Sequence, residues 1–227
     1  MSNYVAVVYD ETRTPRTEYP FQMASYLFTR FQLHKGQKLL EIGCGRGDFL
    51  NAFQQLGMDC CGVDLSDHGF CNLKDIQVAK VDISHDALPF EDSSFDIVCH
   101  KSLIEHLYSP DHLMKETHRV LKPEGRVIIL TPDWVSQMKV FYEDYTHARP
   151  YNVTALSDLL KVYEFKNIET ELFYQLPVLW RCPKLKIISL FLRMFLSTPV
   201  ARYLTKVTGV KFFRWSVELM VLASGKK

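Results

Sequence analysis

Apolar positions along this chain change period several times, and the changes alternate regularly. "YPFQMASYLFTRFQL" (19–33) carries apolar residues at helical spacing and predicts an N-terminal helix. "KLLEIG" is a short, nearly unbroken apolar run, the pattern of a buried strand, and "GDFLNAFQQLG" resumes the helical period before stopping at Gly57. "DCCGVDLS" predicts a second strand, "QVAKVDIS" a weaker third and "FDIVCHK" a fourth. "PDHLMKETHRVLKP" reads as a helix closed by Pro123, and "GRVIILTP" as a fifth strand. Beyond it, "VTALSDLLKVY" predicts a helix, "FKNIETELFYQL" a sixth strand and "WSVELMVLAS" a last one. Strands and helices alternating through short turns predict an α/β fold, a mostly parallel sheet of seven strands with helices on both faces. The expectation is one domain with an insertion before its last strand.

Composition sharpens one part of this picture. With 227 residues, 47% hydrophobic and 23% charged, the chain can bury a full core and is not a disordered segment. Its net charge of +1 conceals an asymmetry. Residues 172–217 contain no Asp or Glu but eight Lys and Arg, so the remainder carries about −7 (+1 less 8). Within that segment, "KLKIISLFLRMFLS" places Lys186, Ser189, Arg193 and Ser197 on one helical stripe and apolar residues over the rest. Such a helix is expected to pack as a lid or against a second subunit, or to lie in an anionic membrane interface through about 184–214. Its aliphatic richness disfavours nucleic acid as partner. No apolar run is long enough for a transmembrane helix, and no secretory signal is read at the N-terminus. The expected location is cytoplasmic, with contact to a membrane as the variant. The six cysteines include no CxxC pair, and their spacing predicts no metal site.

The candidate chemistry begins in "LLEIGCGRGDFL", where Gly43, Gly45 and Gly47 stand between the first strand and its helix. Glycine there permits a sharp turn and close approach of a ligand to the helix N-terminus. The GxGxG spacing differs from the GxGxxG of a dinucleotide pyrophosphate site. Asp64 ends the second strand, where a carboxylate can accept both hydroxyls of a ribose, and Asp82 closes the third. Together they describe a nucleoside pocket at the C-terminal edge of a parallel sheet.

These stretches, with "LPFEDSSFDIVCHKSLIEHL" and "ETHRVLKPEGRVIILTPDW" in order, resemble the class I S-adenosylmethionine-dependent methyltransferases, in the methyltransferase type 11, quinone-biosynthesis-like branch. The resemblance is close over 35–135. It implies a Rossmann-like cofactor core there, an N-terminal helical cap over 1–34, and an acceptor-side region over 136–227 that contains the basic insert at about 176–214. It further implies that Glu41, Gly43, Cys44 and Gly45, with Gly47 completing the turn, surround the methionine part of S-adenosylmethionine. Asp64 would hold the ribose, Leu65 would pack on the adenine, and Asp82 and Ile83 would meet its edge. His100 and Lys101 would line the cofactor and open toward a small-molecule, lipid or glycan acceptor. A nucleotide-sugar or NAD oxidoreductase, and a catalytically silent binding protein, are the alternative classes.

Methyl transfer from a sulfonium is an in-line displacement that needs alignment, and a base only where the acceptor must lose a proton. His147 and His100 are the candidate catalytic residues, with His106 beside them and Asp144 or Glu143 behind. A structural alternative has Thr146 and His147 capping the following helix, with Arg149 pairing to Asp144. Glu105 and His106 either buttress the turn after the fourth strand or touch the acceptor.

Overall fold

Five parallel strands form the body of the sheet in the computed structural model, which describes residues 15–70, 73 and 75–227. They are β1 (Lys38–Ile42), β2 (Asp59–Asp64), β3 (Gln77–Lys80), β4 (Phe95–Lys101) and β5 (Leu121–Pro132). Two more, β6 (Lys166–Phe173) and β7 (Met220–Lys226), complete the order β3-β2-β1-β4-β5-β7-β6. β7 runs antiparallel between β5 and β6, with Pro132 opposite Met220 and Phe173 opposite the same residue.

Alternate residues of the central strands enter opposite cores, which is why these strands read as continuous apolar runs. Leu40, Val98, Val127 and Ile129 pack with Leu113 and Met114 of α3 (Asp111–Val120) and Leu156 and Leu160 of α5 (Val153–Val162). Leu39, Ile97, Ile128 and Leu130 pack with Met23 and Leu27 of α1 (Tyr19–Arg30) and Leu50 and Phe53 of α2 (Asp48–Gln55). A short helix, α4 (Trp134–Gln137), follows β5. Of the stretch 1–34 expected as a helical cap, the first 14 residues lie outside the described residues, and the rest holds α1.

The structure corrects two boundaries. α3 stops at Val120, before Pro123, and the chain runs directly into β5. Pro123 constrains the residue before it to extended backbone, so the helix ends upstream. Glu124, at φ 63°, then absorbs the irregularity in the β4–β5 pairing. At the other end, Trp215 to Val217 are helical, in α9 (Phe212–Val217), and β7 begins only at Met220.

The insertion between β6 and β7 comprises α6 (Pro177–Arg181), α7 (Lys186–Phe195), α8 (Thr198–Thr208) and α9. Tyr26 of α1 stacks on Trp180 with centroids 5.1 Å apart, and Tyr19 meets Trp215 at 4.9 Å, so the N-terminal helix is clasped by the insert. α7 packs inward through Ser189, its one fully buried residue, which bonds Ser216 at 2.9 Å, while Lys186 and Ser197 of the same stripe stay exposed. The expectation that the wide apolar face packs as a lid is not met within this chain. At 100° per residue, Leu190, Met194, Ile187, Phe191, Phe195 and Ile188 span an arc of about 160° opposite Ser189. All six are exposed, Met194 by 73% and Phe195 by 68%. Val200, Tyr203 and Val207 of α8 are exposed as well. No single helix among the described residues is long and apolar enough to cross a membrane.

Candidate functional site

The turn between β1 and α2 is shaped by hydrogen bonds that only an unusual backbone can make. Gly43, Gly45 and Gly47 have φ of 78°, 52° and 75°, the left-handed region that glycine enters without steric cost. Gly43 and Cys44 donate to the Val63 carbonyl at 2.8 and 3.1 Å. Gly45 N–H donates to Asp64 Oδ2 at 2.8 Å, and Ser66 N–H to Oδ1 at 2.9 Å. Asp64 thereby couples the ends of β1 and β2, although burial raises its pKa. A side chain built on Gly45 would enter open space, whereas one on Gly47 would lie 2.1 Å from Leu73. Gly69, which sequence reasoning missed, lets its turn lie flat on this loop, since a Cβ there would sit 2.2 Å from the Gly45 carbonyl oxygen.

The neighbouring strand ends continue the edge. Leu65 is exposed by 41%, a large apolar side chain standing beside the glycine turn. Asp82 lies two residues beyond β3 and accepts from Ser84 N–H at 3.0 Å, while Ile83 is buried in the core. Beneath α1, Glu41, His100 and Lys101 line one narrow cavity with Met23, Leu27 and Phe49. Burial pushes the Glu41 carboxyl up to about 8, with nearby Lys101 opposing, and Oε2 has no hydrogen-bond partner among the described residues. Burial also depresses His100 to about 3 and strips both ring nitrogens of partners, so the ring is neutral. The half-buried Lys101 ammonium, lowered by the same desolvation, sits 5.4 Å over the Phe49 ring.

A larger cavity of about 560 Å³ opens on the other side of these strand ends. Ser102 and Pro132 form its floor, and Phe141, Asp144, Tyr145 and His147 one wall. The insert adds Arg202, Arg214 and the buried Glu218 to its lining. Arg202 pairs with both Glu143 and Glu218, and Arg214 Nε donates to Glu218 at 2.7 Å. His147 therefore lines this cavity while His100 lines the other. No motif marks Arg202, Arg214 or Glu218, because they converge only through the insert's fold. The basic segment itself was the signal.

Behind His147, the loop from 141 to 149 docks on the turn after β4. Ala148 and Arg149 N–H donate to the Glu105 carbonyl at 2.8 and 3.0 Å. Glu105 is fully buried; Thr131 Oγ1 donates to its Oε2 at 2.9 Å, and Oε1 has no partner. Burial raises this carboxyl to about 7. The His106 and His147 rings meet edge to face at 4.8 Å. The capping alternative for His147 is not what the structure shows: Asn152 caps α5, accepting from Ala155 N–H at 2.8 Å.

A seven-stranded sheet with one antiparallel strand beside its edge, a glycine turn after β1 and carboxylates at the end of β2 and just past β3 give a Rossmann-like α/β fold with polar groups along one strand edge. Residues 15–170 match the model of a methyltransferase domain family. The chain belongs to that family and is a class I enzyme whose methyl donor is S-adenosylmethionine. It is 29% identical over 179 residues to a demethylmenaquinone methyltransferase of Lactobacillus johnsonii, covering 62% of this chain and 72% of that protein. It is 28% identical to phosphoethanolamine N-methyltransferase 2 of Caenorhabditis elegans, covering 76% of this chain but 40% of that one. In fold it is similar to a phosphoethanolamine N-methyltransferase of Haemonchus contortus in complex with S-adenosylmethionine. There the TM-score is 0.67 at 20% identity, over 99% of this chain and 59% of the other. The oxidoreductase alternative falls with the family assignment.

Proposed function

We propose that this chain methylates an amphipathic acceptor, a lipid or a lipid-linked small molecule or glycan, which enters the 560 Å³ cavity from an anionic membrane surface. One observation carries the reading: the insert that contributes Arg202 and Arg214 to the cavity also turns an apolar, cation-flanked face outward on α7 and α8. Exposed apolar faces of this kind mark interaction surfaces, and the adjoining Lys184, Lys186, Lys206 and Lys211 favour anionic headgroups.

The residues present fit the methyl donor. Glu41 Oε2, buried and unpartnered, suits the ammonium of its amino-acid end, and the open side of Gly45 leaves room for its chain. Each Asp64 oxygen has a second lone pair beyond its backbone bond, enough to accept a ribose hydroxyl. Leu65 offers the adenine an apolar face, with Asp82 and Ile83 at its edge. When bound, the sulfonium supplies an activated methyl group and a leaving group that needs no proton. The chain's own part is to align the acceptor, exclude water with α1 and the insert, and hold the acceptor's proton or its charge near His147.

Tritium-labelled methyl donor, incubated with the protein and anionic vesicles of total lipid extract, tests this. Label in the organic phase supports a lipid acceptor; label only in water-soluble product overturns that part. No label in any fraction overturns transfer and leaves a silent cofactor-binding protein.

A further inference from the structure

The sequence predicts no metal site, yet the fold brings Glu105, His106 and His147 together with one donor atom from each, all within 4.8 Å of one another. We propose that these three residues bind a divalent transition-metal ion at the wall of the acceptor cavity.

Two imidazoles and a carboxylate are the donor set of zinc, cobalt, manganese and iron sites, not of calcium or magnesium. Donors bound at about 2.1 Å stand roughly 3 to 3.5 Å apart, so the widest separation in the cluster has to close by about 1.3 to 1.8 Å on binding. The surrounding hydrogen bonds already orient the ligands. His147 Nδ1 donates to the Phe141 carbonyl at 2.7 Å, and a carbonyl can only accept. Thr146 Oγ1 gives its single proton to Asp144 Oδ1 at 2.6 Å, so toward His106 Nδ1, at 2.8 Å, it must accept. Both rings therefore use Nδ1 toward an oxygen that accepts, which leaves Nε2 as the ring position open to a ligand bond. Metal-binding histidines are set in this way by an oxygen on the far ring nitrogen.

Glu105 is the second, independent pointer. Its side chain is fully buried, Thr131 holds one oxygen, and the other meets no donor. A buried polar atom left unpaired is costly, and an ion shared with the two histidines would satisfy it. The turn and loop that carry the ligands are joined by the paired backbone bonds from Ala148 and Arg149, so the site is held before any ion arrives.

Three protein ligands leave at least one coordination position, and His147 faces the cavity. Resting on the methyl-transfer reading, this assigns the acceptor an oxygen nucleophile. With an ion held by Glu105, His106 and His147, an acceptor hydroxyl on it would be acidified and would pass its proton to solvent, and its oxygen pair would form the O–CH3 bond as the C–S pair returned to sulfur.

The test uses the full chain, stripped with chelator and titrated with Co2+ while visible absorption and unfolding temperature are followed. One equivalent bound, with d–d bands but no thiolate charge-transfer band, and a raised unfolding temperature are expected. His147→Gln and Glu105→Gln should each weaken binding at least tenfold, and Thr146→Val, which frees the His106 ring and the Asp144 carboxylate but removes no ligand, by about tenfold. No stoichiometric binding, a thiolate band, or affinity unchanged in His147→Gln would overturn the site. Calorimetry with S-adenosylmethionine on the same samples separates the two readings. Donor binding without Co2+ binding sinks the metal alone, and Co2+ binding without donor binding sinks the methyl-transfer reading alone.

Discussion

Arg202 of α8 reaches the buried carboxylate of Glu218, just before β7, and fixes the insert to the sheet at the edge of the 560 Å³ cavity. The same guanidinium also holds Glu143, another residue that lines the cavity. Arg202→Ala leaves Glu218 with Arg214 alone. The expected loss is about 1 to 3 kcal/mol in urea unfolding, the value of a hydrogen bond to a buried charge. Acceptor KM should rise while donor affinity, measured by calorimetry, stays within twofold.

Donor affinity should respond instead to Asp64 and Gly69. Asp64→Ala removes the acceptor of the Gly45 and Ser66 N–H groups, and calorimetry should show binding of S-adenosylmethionine weakened at least tenfold. Gly69→Ala drives a methyl group against the Gly45 carbonyl and Arg46 Cα, both backbone. The loop must move, so donor affinity should fall even though Gly69 offers no side chain. Unchanged affinity in Asp64→Ala would show that the ribose lies elsewhere.

Glu41 predicts a pH effect. Its carboxyl ionises near 4.5 when unfolded and near 8 when buried, because desolvation outweighs the attraction of Lys101. A raised folded-state pKa contributes stability that is complete below about 4.5 and is lost as pH rises through about 8. Glu41→Gln cannot ionise. Its stability relative to wild type should therefore climb between pH 5 and 8 and level off above. A difference that is flat with pH, from chemical denaturation at each value, would show that Glu41 is not buried as described.

The exposed face of α7 should bring the protein to membranes. Flotation with phosphatidylglycerol vesicles is expected to carry the wild type upward, with weaker capture on neutral vesicles and at high salt. Phe191→Asp with Phe195→Asp should abolish it while circular dichroism stays unchanged, both side chains being more than half exposed. Wild-type protein that stays at the bottom with anionic lipid removes the membrane reading.

Local chemistry was legible along the chain because each signal there spans only a few residues. The strand periods, the left-handed glycines after β1 and the carboxylates at the ends of β2 and near the end of β3 all follow from side-chain pattern and backbone sterics. They specified the α/β class. The end of α3 and the start of β7 were misread because helix and strand propensities there yield to pairing with β4 and to the salt bridges of Glu218.

Long-range convergence is what the tertiary structure alone decided. Glu105 and His147 are far apart in sequence, and nothing in either stretch announces the other; two backbone bonds to the Glu105 carbonyl bring them together. The orientation of α7 was equally open, since a helix with one polar stripe can be rolled either way. Ser189 meeting Ser216 settles it and leaves the apolar arc outside. Periodicity determines which residues share a face, but only packing determines what that face meets.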